Sequence, residues 1–207
     1  MSITIKRFIA GPIDTNSFVV FDEGPPCIVI DPSSGCDEIL SYIRENSLQV
    51  KAILLTHAHF DHCMGIDEIK GVFTDATVWV HLDEIPLLTS PEFNGSPMIG
   101  REYAYTGKTE ELKEGKLVFD DISLEVLAVP GHSPGGCAFL FENYCISGDA
   151  LFAGSIGRTD FAGGSYTKLI ENIKTKLLTL PDETIVFPGH GNRTTIGREK
   201  SHNQFLR

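Results

Sequence analysis

The sequence predicts a layered α/β sandwich, and three observations carry that expectation. Short apolar runs of strand length recur in both halves of the 207 residues, and each half ends in segments with helical spacing. Four of the strands run directly into a histidine or aspartate framed by turn residues. A chain of this length fits one domain with a sizeable core. Its apolar fraction of 42% and charged fraction of 22% are those of a globular protein.

Taken in order, residues 3–8 and 17–21 read as strands around the turn-rich Ala10-Gly11-Pro12-Ile13-Asp14-Thr15-Asn16, and 27–30 is a third, closed by Asp31-Pro32. Residues 37–45 carry Ile39, Leu40 and Ile43 at helical spacing and predict an amphipathic helix. Residues 52–55 form a short buried strand, 65–70 begin a helix behind it, and 78–81 are again a strand. Between 83 and 108, Pro86, Pro91, Pro97, Gly95, Gly100 and Gly107 interrupt any long element, so a surface insertion with one short helix is expected, placed to overhang the site or meet a partner. The β pattern returns at 117–119, 123–129 and 138–147, the last with a hairpin turn near Glu142-Asn143. Leu169, Ile170, Ile173, Leu177 and Leu178 give 167–178 a helical period, and 184–187 is a last strand.

The densest chemistry lies in Thr56-His57-Ala58-His59-Phe60-Asp61-His62. Neutral imidazole is the commonest protein metal ligand, and a neighbouring carboxylate suits zinc or non-haem iron. If the backbone leaves its strand still extended, His57 and His59 project to one side and share one ion. Asp61 and His62 follow too closely to join the same tetrahedron and are placed for a neighbouring ion, which suggests two metals. A polar loop with merely hydrogen-bonded histidines is the plainer alternative, and it does not account for the other three strand ends. Those ends are Pro130-Gly131-His132, Gly148-Asp149 and Pro188-Gly189-His190. Ligand sites gather beyond the carboxyl ends of strands in open α/β sheets, and the glycines allow sharp turns that swing each side chain inward.

Composition removes several functions. A formal charge of −11 argues against nucleic acid as substrate, because phosphate binding needs basic surface, and two bound dications would offset only part of it. No apolar h-region marks the first residues and no run reaches the length of a membrane span, so a cytoplasmic location is expected. The five cysteines, Cys27, Cys36, Cys63, Cys137 and Cys145, are odd in number and form no CxxC, which makes a disulfide framework improbable. Nothing marks the oligomeric state.

THxHxDH, then PGHSPG, then SGD, then PGHG, in that order, resembles the metallo-β-lactamase superfamily, and more narrowly its glyoxalase II-like (hydroxyacylglutathione hydrolase-like) branch. The resemblance runs from Thr15-Asn16 and Asp31-Pro32 to Thr194-Thr195-Ile196-Gly197-Arg198-Glu199. It implies a four-layer αββα sandwich. It also implies that metal one takes His57, His59 and His132, that metal two takes Asp61, His62 and His190, and that Asp149 bridges them. Full-length glyoxalase II continues into a C-terminal helical domain that helps hold glutathione; this chain stops about where that domain would begin, so a single hydrolase domain over 1–207 is expected. The Gly157-Arg158-Thr159-Asp160-Phe161 segment is similar to one in persulfide dioxygenases. An antibiotic-destroying β-lactamase fits less well, because many carry cysteine where this chain has Asp149.

The chemistry implied is hydrolysis of a small-molecule thioester by a hydroxide bridging two ions about 3.5–4 Å apart, with Asp61 orienting the nucleophile as well as binding metal two. Zinc is the first expectation for the ions, with iron and manganese as alternatives. A thiol of pKa about 8.5 can leave as thiolate without a dedicated acid. A mononuclear iron persulfide dioxygenase would instead use His57, His132 and Asp149 as its triad, and a metal-stabilised binding module would use the cluster without turnover.

Arg158 is either a clamp for a substrate carboxylate or the ion-pair partner of Asp160. Asp31 is expected behind a ligand histidine as its hydrogen-bond partner. Cys63 is expected to be a buried inert thiol, and His81 and His202 structural or solvated. Tyr103 and Tyr105 are expected to pack or face solvent more than to line a mouth. Ser133 is a turn residue.

Overall fold

Alternation along strands that are buried on both faces builds the molecule. In a computed structural model describing residues 3–207, the first half lays down β1 (Thr4–Ala10), β2 (Thr15–Phe21), β3 (Pro26–Ile30), α1 (Asp37–Glu45) and β4 (Gln49–Leu54). The short α2 (Phe60–Cys63), α3 (Ile66–Val72), β5 (Thr77–Val80), α4 (Ile85–Leu88), α5 (Pro91–Asn94) and β6 (Glu110–Glu111) follow. These strands form one sheet in the order β1-β2-β3-β4-β5-β6. The second half contributes β7 (Gly115–Phe119), β8 (Ile122–Ala128), β9 (Cys137–Phe141), β10 (Tyr144–Gly148) and a small hairpin of β11 (Leu151–Phe152) and β12 (Ser155–Ile156). After it come α6 (Tyr166–Asn172), a π-helical turn at Ile173–Leu177, β13 (Ile185–Pro188), β14 (Thr194–Thr195) and α7 (Ile196–His202). The second sheet runs β14-β13-β10-β9-β8-β7.

Three apolar clusters mark the three interfaces of a four-layer αββα sandwich. In β3, Cys27 and Val29 face α1 and α3 with Ile39, Ile43, Ile66 and Ile69, whereas Ile28 and Ile30 face the other sheet. Phe18, Leu54, Phe139, Phe141 and Ile146 fill the space between the sheets. Ala138, Cys145 and Val186 point away from it, onto Leu169, Ile173, Leu177 and Ile196. Because both faces of these strands are covered, their sequences are continuous apolar runs without polar alternation. Among the described residues, no helix is long and apolar enough to cross a membrane.

Strand direction sets where the site must be. β8 is antiparallel to β9, β9 to β10, and β10 is parallel to β13, so β8, β10 and β13 all point the same way. The carboxyl end of β4 reaches the same edge from the other sheet, since the Cys137 amide donates to the Thr56 carbonyl at 2.7 Å. Four strand ends therefore open on one rim.

One expectation needs correction. The 83–108 stretch is not a surface insertion: it holds two short helices and two 3-10 turns, Leu87, Leu88 and Tyr105 join the core beneath the first sheet, and Glu84 and Ser96 are fully buried. Its prolines break it into short turns without making it polar.

Candidate metal centre

His57 and His59 leave β4 in extended backbone, with ring centroids 4.8 Å apart. The chain then turns into α2, which raises Asp61 and His62 toward the same point. His132 follows β8, Asp149 follows β10 and His190 follows β13. Of the glycines before these three, Gly131 and Gly148 take φ of 137° and 50°, the turns expected of them. Gly189 is needed for space instead, because a Cβ there would lie 2.1 Å from Asp149 Oδ1 and 2.7 Å from His62 Cε1.

All seven side chains converge. Candidate ligand atoms of His57, His59 and His132 lie within 4.8 Å of one another, as do those of Asp61, His62 and His190, and those of His57, His62 and Asp149 between the two trios. His59 Nδ1 and His132 Nε2 face each other at 3.0 Å. Asp61 Oδ2 is 3.1 Å from both His62 Nε2 and His190 Nε2, and Asp149 reaches His62 Nε2 at 3.5 Å, His190 Nε2 at 3.6 Å and His132 Nε2 at 3.7 Å.

The surrounding hydrogen bonds fix which nitrogens face inward. Asp31, fully buried with φ of 50°, accepts His62 Nδ1 at 2.9 Å on Oδ2, and also the Thr56 amide at 2.7 Å and hydroxyl at 2.6 Å. Thr56 Oγ1 gives its proton to Asp31, so it can accept from His57 Nδ1, 3.1 Å away. His132 Nδ1 donates to the Arg158 carbonyl at 2.7 Å. In each case the bond holds the proton on Nδ1 and leaves the Nε2 lone pair aimed at the centre. His57 Nε2, His62 Nε2 and Asp149 Oδ1 are buried there without a hydrogen-bond partner. Three orphaned polar atoms at one point fit an electropositive partner, and nitrogen and oxygen donors without sulfur fit an open divalent-metal site.

Without an ion, the cluster's groups are pulled in opposite directions, two histidines held neutral for ligation and two held toward the charged form by the carboxylates that an ion would otherwise neutralise. Burial pushes His57 well below its ordinary value, helped by His62 and His132, and pushes His59 down to about 3, so both are neutral. Burial would raise Asp61 and Asp149, but His62 outweighs it and both carboxyls sit below the usual range. Burial opposes the charging of His62 and His190, yet Asp61 and Asp149 raise both.

The rim opens at His190, whose side chain is 28% exposed against 0–12% for Asp61, His62 and Asp149. Phe152 lies 6.3 Å from the His190 ring and Phe161 5.0 Å from His59. Arg158 forks onto Asp160 at 2.9 and 2.8 Å and stacks 4.5 Å over Phe161, with both charges exposed. Cys63 is buried with its thiol pushed well up by burial. His81 accepts the Asp83 amide, and Ser133 is buried in its turn.

Several supporting groups have a role that the sequence alone does not assign. The Thr15 hydroxyl holds Asp61 Oδ2 at 2.8 Å, and Asn16 donates through its amide to Gly189 O at 2.7 Å and through Nδ2 to Pro188 O at 2.8 Å. β2 thus pins the His190 loop from the opposite sheet. Glu84 bonds the backbone on either side of the cluster, and the Arg158 contribution to His132 is a backbone carbonyl.

The family model described as Metallo-beta-lactamase superfamily matches residues 10–190. "Probable metallo-hydrolase YqgX" of Bacillus subtilis is 40% identical over 97% of this chain and 96% of its own length. "Hydroxyacylglutathione hydrolase GloC" of Haemophilus influenzae is 34% identical over 92% of both chains. Among solved structures, BLEG-1 B3 metallo-beta-lactamase superposes with a TM-score of 0.93 at 38% identity, covering 98% of this chain and 99% of that one. TTHA1623 in a di-iron-bound form gives 0.86 at 36% identity, over 97% and 100%.

Proposed function

The chain belongs to the metallo-β-lactamase superfamily, and from that premise we propose that it is a binuclear metallohydrolase cleaving thioesters of the S-2-hydroxyacylglutathione kind. The observation that carries the binuclear part is the pair of donor trios joined through His57, His62 and Asp149, with their orphaned atoms turned to one point. His57, His59 and His132 would hold one divalent ion, Asp61, His62 and His190 the other, and Asp149 would lie between them. Paired ions of this kind, when bound, lower the pKa of water and polarise a carbonyl oxygen.

The chain's own residues supply orientation. Asp61, tethered by the Thr15 hydroxyl, faces both His62 and His190 and would accept a hydrogen bond from the attacking water. Phe152 and Phe161 flank the rim and would exclude bulk water from the acyl group. The thiol product needs no proton donor at the site, since its pKa is about 8.5. The likeness to GloC along most of both chains supports a thioester, the likeness to the BLEG-1 metallo-beta-lactamase makes β-lactam cleavage the competing outcome of the test, and the −11 charge limits attraction of anionic substrates to the metals and nearby arginines.

A single-iron persulfide dioxygenase would occupy His57, His132 and Asp149 and leave Asp61, His62 and His190, a complete second trio, without work. The test is thiol release from S-D-lactoylglutathione under nitrogen by protein as purified, stripped with chelator, and given back zinc or iron. Turnover lost on stripping and restored by metal is expected. Silence of the metal-replete samples, or cleavage of a β-lactam alone, would overturn the thioesterase, and an oxygen requirement with a persulfide substrate would replace it with the dioxygenase.

A further inference from the structure

Glu84 occupies the first turn of the 82–108 segment, a 3-10 turn at Leu82–Glu84 capped by His81. Its side chain is fully buried, a costly position for a carboxylate without partners. The partners are two backbone amides: Oε2 accepts from Ala58 at 2.8 Å and Oε1 from Gly135 at 2.6 Å. Ala58 stands between His57 and His59, and Gly135 follows His132 in the same turn. Both amides lie outside the strands, so the sheet ladders do not provide their acceptors. The fit is close on the remaining side as well, since a Cβ on Gly135 would come 2.5 Å from His81 Nδ1 and 3.1 Å from Glu84 Cγ. One carboxylate therefore ties together two loops from different sheets, and those loops carry the whole His57, His59, His132 trio.

We propose that Glu84 is a positioning residue for that trio: its two oxygens set the distance between the His57-Ala58-His59 loop and the His132 turn, and so determine how tightly the trio takes a divalent ion. Glu84 touches neither ion nor substrate. Bonds of an ionised acceptor to amide donors are stronger than neutral ones, and groups held behind metal ligands typically change metal affinity by about 10–100-fold when altered. The inference rests on the binuclear centre proposed above but not on the thioester.

Glu84→Gln keeps the volume and turns an NH2 group toward one of the two amides. Zinc binding is read by competition with a chromophoric chelator and by metal content after dialysis. Two zinc ions per wild-type chain are expected, with one equivalent in Glu84→Gln weakened about 10–100-fold, the other unchanged, and Glu84→Asp intermediate. General loosening of the fold would weaken both equivalents together, so their separation is the decisive readout. Equal affinity for both ions in wild type and Glu84→Gln overturns the inference alone. Wild-type protein that takes up no metal overturns the binuclear centre and the inference with it. If Glu84→Gln fails to fold, amide exchange in the wild type decides: slow exchange at both Ala58 and Gly135, slowed further on zinc loading, is expected, and fast exchange at either overturns the assignment.

Discussion

Replacing Asp31 by asparagine isolates the proton logic behind His62. The two side chains share a shape, and asparagine tolerates the φ of 50° at this position better than other residues do, so backbone strain is not added. The Oδ1 acceptor for the Thr56 amide survives, and the Thr56 hydroxyl can rotate. At Oδ2, however, an NH2 group now faces His62 Nδ1, 2.9 Å away. The imidazole must either accept that bond, which moves its own proton to Nε2 and blocks the nitrogen aimed at the second trio, or give up the bond to keep Nε2 free. A hydrogen bond to a charged group contributes about 1.5–3 kcal/mol, and at about 1.4 kcal/mol per tenfold the second trio should lose roughly 10- to 150-fold in metal affinity. Competition titration with a chromophoric chelator measures it, with far-ultraviolet circular dichroism confirming the fold. Unchanged affinity for both equivalents in Asp31→Asn would refute the tautomer reasoning.

Gly189→Ala places a methyl 2.1 Å from Asp149 Oδ1 and should leave a folded protein with one trio disrupted, seen as loss of most metal-dependent turnover at nearly unchanged secondary structure. Burial holds the thiols of Cys27, Cys36, Cys137 and Cys145 up at about 12, and Cys63 is raised too, so a disulfide exchange reagent should find no fast thiol in the native protein and five after denaturation. Arg158→Met should leave the melting temperature almost unmoved, because its ion pair is exposed and screened; a raised KM confined to acidic substrates would make it the substrate clamp. In metal-free protein, His57 and His59 are depressed below 6.5 and lend stability that is complete above that pH and lost as it falls. His62 and His190 are raised, and lend stability that is complete below 6.5 and lost as the pH rises through their folded values. The cluster's contribution to the melting temperature should therefore peak near 6.5 and shift upward on zinc loading, which needs neutral imidazoles; mutants lacking the four histidines provide the reference curve.

The sandwich was legible because its strands are buried on both faces: Cys27-Ile28-Val29-Ile30 and Ala52-Ile53-Leu54 announce themselves as apolar runs, and α1 begins and ends at the residues its spacing predicts. The ligand candidates were legible because His57, His59, His132, Asp149 and His190 each follow a strand closely, with Asp61 and His62 just behind the first pair. Among their supports Asp31, closing a strand beside Pro32, was legible too; the others were not. Thr15 reaches 46 residues along the chain to Asp61 and Asn16 reaches 172 residues to the His190 loop, and no local pattern marks contacts of that separation. The acceptor for His132 is the carbonyl of Arg158, an atom every residue has. Glu84 lies in a stretch whose prolines suggested surface, where short turns in fact pack into the core. The Phe60–Cys63 turn was hidden for a similar reason, being four residues long and filled by ligands in place of an apolar face.

Stepwise addition of zinc to chelator-stripped protein under nitrogen, with thiol release from S-D-lactoylglutathione followed at each addition, tests the binuclear thioesterase most directly. The two trios predict activity that reaches its plateau at two ions per chain and falls to background when His190→Ala, still folded, replaces the wild type. A plateau at one ion per chain, or turnover of His190→Ala at the wild-type rate, would contradict it.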